Sequence, residues 1–171
     1  MRTAVGEFEL REVELATDLP LLAGWMNDPE VDAYWELAGP PETTARHVAP
    51  QLGPDSHSCP LIGLLDGTPM SYWELYRAEA DRLAEYYPAG QGDLGLHLLL
   101  GPPGHRGRGI GALLLTALAD RLLTEPGCER LVAEPDLRNT PSLRAFRRAG
   151  FETVAELDLP EKRAALMLRQ R

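Results

Sequence analysis

Cysteine is almost missing from this chain. Cys59 and Cys128 are the only two in 171 residues, far apart and without metal-ligand spacing. That excludes a disulfide framework and leaves two free thiols suited to a reducing compartment. Histidine is sparse as well: His47, His57, His97 and His105 form no H-x-x-x-H or related cluster, so no metal is expected. No apolar run is long enough to span a bilayer and no basic, apolar leader opens the chain, which points to a cytoplasmic protein with no membrane partner. Positive charge is in deficit. Lys and Arg number 17 against 26 Asp and Glu, leaving a net charge of −9 and a pI near 4.9. Nucleic acids demand positive patches and are poor partners for such a surface. A small cationic molecule suits it better, unless the carboxylates serve solubility alone. Internal repeats and low-complexity segments are also lacking.

What is present reads as one domain over residues 1–171, with 44% apolar and 25% charged residues and length enough for a core. Strands are expected at Glu7–Val13, Cys59–Leu65, Thr68–Tyr76, Leu94–Leu100, Arg130–Glu134, Phe151–Leu157 and Ala164–Leu168. The Asp66-Gly67 pair is a hairpin signal between the second and third of these. Helices are expected from Asp18 through Met26, over Glu42–Leu52, after Gly111 and after Pro141, with a short piece at Val31–Leu37. Ala78–Tyr87 reads as a charged, irregular segment. Strands and helices alternate most clearly in the second half.

The most informative stretch is Gly104-His105-Arg106-Gly107-Arg108-Gly109-Ile110-Gly111, which leads from an apolar strand into the apolar run Ala112–Leu123. Glycines let a backbone approach a ligand closely, and the first N–H groups of a helix have no internal acceptor. A diphosphate would sit well there, although a bare glycine-rich turn looks much the same. No Lys-Ser or Lys-Thr follows, so it is not a Walker loop, and the glycine spacing is not that of a dinucleotide fingerprint. A second segment, Asn139-Thr140-Pro141-Ser142 through Phe146 and Arg148 to Gly150-Phe151, reads as a capped helix with Pro in its first turn and a glycine stop. Arg106, Arg108, Arg144, Arg147 and Arg148 concentrate cations in these two segments of an acidic protein.

Arg106-x-x-Gly109-x-Gly111 and the Asn139–Phe151 block, in that order, resemble the acyl-coenzyme A-binding blocks of the GNAT superfamily of N-acetyltransferases. The resemblance implies an α/β (α+β) fold with a central mixed, mostly antiparallel sheet, splayed at the acyl-coenzyme A site and flanked by helices. It implies acetyl- or acyl-coenzyme A as donor. The backbone of Leu98, Leu99 and Leu100, the loop residues Arg106, Gly107, Arg108, Gly109, Ile110 and Gly111, and Asn139, Ser142, Phe146 and Arg148 would hold it. Many members carry a tyrosine acid where this chain has Phe146, which cannot donate a proton.

A narrower resemblance covers roughly Leu61 to Leu168. Pro69–Arg77, Asp93–Gly101 and Glu134-Pro135-Asp136-Leu137-Arg138-Asn139 are similar to segments of the N-acyltransferases of hydroxamate-siderophore biosynthesis. This implies direct acyl transfer to the N-hydroxylated side-chain amine of a lysine- or ornithine-type precursor. His97 would be the general base, helped by Asp136. An imidazole beside a carboxylate is a reasonable base, but His97 read alone is also a core residue of an apolar strand, and Asp136 a turn former. Trp73, Glu74, Tyr76 and Trp35 are the candidate substrate contacts. Trp73 lies on the opposite face of its strand from Glu74 and Tyr76, and the aromatics could equally be core. An aminoglycoside 6'-N-acetyltransferase and a non-catalytic coenzyme A-binding module are the alternatives. The partner is a small amine or hydroxylamine, and the protein a monomer or homodimer.

Overall fold

The computed structural model describes residues 1–171. Its sheet grows outward from the Asp66-Gly67 turn. Both residues have positive φ, 49° and 74°, the twist that a two-residue hairpin needs. The turn joins β3 (Ser58–Leu65) to β4 (Thr68–Arg77). With β1 (Arg2–Thr3), β2 (Gly6–Glu12), β5 (Asp93–Leu100), β6 (Arg130–Ala133), β7 (Glu152–Asp158) and β8 (Arg163–Gln170) they form one sheet in the order β1-β2-β3-β4-β5-β6-β8-β7. Every neighbouring pair is antiparallel except β5 with β6. That parallel pair is short. Asp93–Gly95 meets Arg130–Val132, and from Leu96 onward β5 has no strand on that side. The sheet therefore forks.

Five helices cover it. α1 (Leu15–Met26) starts earlier than its Asp18 signal because Asp18 is inside the first turn, where it accepts the Glu14 backbone N–H and two bonds of 2.7 Å from the Arg11 guanidinium. Asp28 accepts the Glu30 N–H and Pro29 fills the first turn of α2 (Pro29–Trp35). The helix expected over Glu42–Leu52 is α3 (Pro41–Val48) followed by a 3-10 turn, Ala49–Leu52. Two more 3-10 turns, Ala78–Ala80 and Arg82–Glu85, occupy the irregular segment. α4 (Ile110–Leu122) and α5 (Thr140–Arg148) follow the two glycine- and arginine-bearing signals.

α4 and α5 bury one face of the sheet in the largest apolar cluster, which includes Leu96, Leu114, Leu118 and Phe146. α1, α2 and α3 cover the other face through Leu22, Trp25, Met26 and Tyr72. Trp73 belongs to the first of these cores. It is fully buried, 5.6 Å from the Phe8 ring, with its indole N–H donating to Ser71 Oγ at 2.8 Å. The expectation that it contacts substrate is thus corrected: an odd position on β4 points away from the face that carries Glu74.

Candidate active site

Three side chains line up across the fork. Glu74 of β4 is the register partner of His97 of β5. Gly95 and Val132 are the last pair of β5 and β6, and His97 and Glu134 stand two residues further along each chain. Side chains two apart share a face, so His97 and Glu134 meet although the backbones have begun to part. His97 Nδ1 is 2.9 Å from Glu74 Oε2, and Nε2 is 2.5 Å from Glu134 Oε1. Both carboxylates are buried, whereas 35% of the His97 side chain stays exposed.

Further donors reach both carboxylates. Glu74 Oε1 accepts from His47 Nε2 at 2.6 Å, Gln51 Nε2 at 2.8 Å and the Tyr72 hydroxyl at 2.8 Å. Glu134 Oε2 accepts from the Tyr76 hydroxyl at 2.7 Å, and Oε1 lies 3.5 Å from Nζ of Lys162, the chain's one lysine. The Tyr76 and Trp35 ring centroids sit 5.0 and 6.1 Å from that of the imidazole, the Trp35 ring nearly perpendicular to it. Gly95 makes room for this. A Cβ there would fall 1.9 Å from the Tyr76 ring, so only glycine lets the ring lie across β5.

The electrostatics follow from the contacts. Burial alone would push His97 down, but the charges and hydrogen bonds of Glu134 and Glu74 prevail and raise it to about 10. Burial likewise works against both carboxylates. Hydrogen bonds from His47 and His97 nevertheless hold Glu74 well below the usual range, and the His97 charge does the same for Glu134. Burial and the neighbouring carboxylates drive the Tyr72 and Tyr76 hydroxyls far above their ordinary value. A neutral imidazole donates through one nitrogen only, whereas both nitrogens here face carboxylate oxygens that can only accept. This arrangement favours the imidazolium form of His97, where the sequence reading expects a general base.

Asp136 does not reach His97 either. Its carboxylate accepts the Arg138 backbone N–H at 2.7 Å and the Arg138 guanidinium at 2.6 and 3.1 Å, and the residue bridges to Ala164. Arg138 lowers its pKa. The expected His97–Asp136 pair is replaced by Glu74 and Glu134 on the imidazole, with Asp136 shaping the turn before α5. Glu134 had a legible signal, since parity along β6 puts it opposite His97. His47, Gln51 and Lys162 come from distant segments and gave none.

Beside the row opens a cleft of about 870 Å³ between α2, the unpaired end of β5 and the N-terminal ends of α4 and α5. Leu98, Leu99, Leu100, Trp35 and Phe146 contribute its apolar wall. Gly107, Gly109, Ile110 and Gly111 form its rim at α4. Gly109 caps that helix with φ +78°, and no side chain takes up the first-turn N–H groups. Gly107 has φ +72°. Such a turn presents bare amides to an anion. Arg144 and Arg148 line the same end without an acidic partner, and Ser142 joins them.

Two of the expected arginine contacts have other surroundings in the structure. The Arg106 guanidinium is occupied: it donates to the carbonyls of Leu100 at 2.9 Å and Gly101 at 2.5 Å and pairs with Asp28 and Glu30 at 2.9 and 3.2 Å. The residue lines the cleft, and its side chain is a strut between the loop and α2. Arg108 is exposed and lies outside the residues that line the cleft. Asn139 lines the cleft but spends its side-chain oxygen capping α5, accepting the Ser142 N–H at 3.0 Å. Phe146 packs edge-on to Phe151 at 5.0 Å and offers no hydroxyl.

A forked sheet with bare helix amides at one end of the cleft is the arrangement expected of a coenzyme A thioester site. The profile of the acetyltransferase (GNAT) domain family matches residues 14–159. The chain belongs to the GNAT family. It is 39% identical over 160 residues to the lysine N-acyltransferase MbtK of Mycobacterium tuberculosis, covering 93% of this chain and 75% of that protein. It is 35% identical over 162 residues to the N(6)-hydroxylysine O-acetyltransferase of Escherichia coli, covering 94% of this chain and 51% of that one. Among solved structures, the aminoglycoside acetyltransferase AAC(6')-Ib in complex with coenzyme A superposes with a TM-score of 0.83 at 24% identity, covering 96% and 95% of the two chains. That likeness shows the fold. The chain is therefore an acyl-coenzyme A-dependent acyltransferase of the GNAT type.

Proposed function

We propose that this GNAT domain moves an acyl group, acetyl in the first instance, from coenzyme A to the N-hydroxylated side-chain amine of a lysine- or ornithine-type siderophore precursor. The observation that carries the reading is the Glu74–His97–Glu134 row at the mouth of the sheet fork, beside a cleft with anion-binding amides at its other end. The residues present fit an acyl-coenzyme A. The α4 amides around Gly109 and Gly111, with Arg148 and Arg144, suit the diphosphate end. The open edge of Leu98–Leu100, apart from the Leu100 carbonyl that Arg106 occupies, offers N–H and C=O groups to the amides of the pantetheine arm and donors to the thioester oxygen. The acceptor enters over Trp35, Tyr76 and the exposed part of His97, on the Glu74 side. Relatives named for lysine and N6-hydroxylysine acyl transfer support this acceptor class.

The test is thiol release from acetyl-coenzyme A with N6-hydroxylysine, N5-hydroxyornithine and kanamycin as acceptors, with the product identified by mass. Hydroxamate formation from a hydroxylated amino acid is the expected result. Turnover of kanamycin alone would move the assignment to aminoglycoside acetylation, and tight coenzyme A binding without turnover of any acceptor would make the domain a binding module.

A further inference from the structure

Every side chain of the row at the fork is already engaged in hydrogen bonds. Both His97 nitrogens lie within hydrogen-bond distance of carboxylate oxygens, at 2.9 and 2.5 Å. Glu74 is held by His47, Gln51, Tyr72 and His97, and Glu134 by His97, Tyr76 and Lys162. The formal charges of four of these groups cancel, the two carboxylates against the His97 imidazolium and the Lys162 ammonium. We infer that this row is a fixed, charge-balanced platform with no general base, and that it passes only an acceptor nitrogen that arrives uncharged. The inference rests on the acyl transfer proposed above and specifies the form of its acceptor.

The groups facing His97 are all accounted for. β4 supplies Glu74, Tyr72 and Tyr76, α3 supplies His47, and Glu134 follows β6. Lys162 comes from the turn before β8, and α2 presents the Trp35 ring. Burial with the adjoining carboxylates keeps both tyrosines protonated, and the His97 proton is held until about pH 10.

An alkylammonium has no lone pair, and the cancelled charge gives it no net attraction. At pH 7 an amine of ordinary basicity (pKa about 10.4) is neutral in roughly one molecule in 10³. A hydroxyl on nitrogen withdraws electron density, so the neutral form prevails and no base is needed before attack. In the transfer the nitrogen lone pair forms the C–N bond while the carbonyl π pair moves to oxygen. When that pair returns, the C–S bond breaks and sulfur leaves with its electrons. The nitrogen proton passes to the departing thiolate, directly or through water. The scheme balances without a protein base and without the acid that Phe146 cannot supply. N–H groups on the open edge of Leu98–Leu100 donate to the oxygen as negative charge develops on it.

Two measurements test this. Nitrogen-15 spectra of histidine-labelled protein, assigned with His97→Gln, should show both His97 ring nitrogens protonated at pH 8. A singly protonated ring would overturn the inference whether or not any acceptor is known. The kcat/KM for N6-hydroxylysine should be flat between pH 6.5 and 8.5. That for lysine should be lower by about 10³ at pH 7 and rise about tenfold per pH unit, following its free amine. A rising limb near pH 6–7 shared by both acceptors would reveal a base and sink the inference. Lys162→Met should leave one carboxylate unbalanced and strengthen inhibition by lysine at pH 6.5 by roughly fivefold or more. Unchanged inhibition would contradict the charge count. If neither acceptor turns over, the substrate reading fails while the ring protonation still decides the row.

Discussion

At the scale of single residues, strand parity decides the chemistry. Leu96, Leu98 and Leu100 turn into the core under α4, so His97 between them meets the opposite face, where Glu74 and Glu134 wait. Its linkage to stability has a definite sign. The folded pKa of about 10 lies above the ordinary 6.5. The contribution is therefore complete below about pH 6.5, declines above it and is gone once pH has passed 10. Glu74 and Glu134, depressed from 4.5, contribute above that value and lose it as pH falls. Urea midpoints should thus be highest near pH 5.5–6.5 and fall toward pH 10, and His97→Gln should flatten the alkaline fall. An equally steep alkaline fall in the variant would place its cause elsewhere. Glu134→Gln should cost about 1–3 kcal/mol at pH 7 in the same assay, because it weakens charge-assisted bonds at a buried site. In the sequence, the parity of His97 and Glu74 was legible. Asp136 was misleading because carboxylate and histidine type alone cannot show that Arg138, two residues away, captures the carboxylate first.

Among the elements, the two helix starts carry the donor site. Gly109 at φ +78° and Asn139 as a side-chain cap do different work at α4 and α5. Asn139→Ala should lower thermal stability by the usual cost of a lost cap, about 1 kcal/mol. Gly109→Val should weaken coenzyme A binding in calorimetry, since a branched residue resists positive φ and crowds the bare amides. Arg148→Ala and Arg106→Ala separate ligand contact from scaffold. The first should reduce coenzyme A affinity about 10- to 100-fold, as one charge-assisted phosphate contact is worth about 1.5–3 kcal/mol. The second should chiefly destabilise the fold, because Arg106 ties the loop to Asp28 and Glu30 of the α2 start. Equal affinity of wild type and Arg148→Ala would put the diphosphate elsewhere. The glycine spacing made the α4 turn legible in the sequence. The Arg106 contacts were not, since they bring together segments more than seventy positions apart.

For the whole molecule, the decisive feature is that the sheet stops pairing. A parallel contact of three residue pairs, Asp93–Gly95 with Arg130–Val132, holds β5 to β6 and then ends, leaving Leu96–Leu100 open on that side. Strand existence could be read from apolar runs and turn signals, and the hairpin from Asp66-Gly67. The length of a strand pairing depends on long-range register, which a local pattern does not encode. Charge is partitioned on the same scale. A chain of net −9 keeps Arg144 and Arg148 at one end of the cleft and a neutralised row at the other.

The most direct test of the account is a crystal structure with coenzyme A and a non-reactive acyl thioester analogue. It should show the diphosphate on the amides of the Gly107–Gly111 turn, the pantetheine arm along Leu98–Leu100, and the acyl carbon at the fork beside the His97 row. Cofactor docked away from that turn, or a thioester remote from His97, would contradict it.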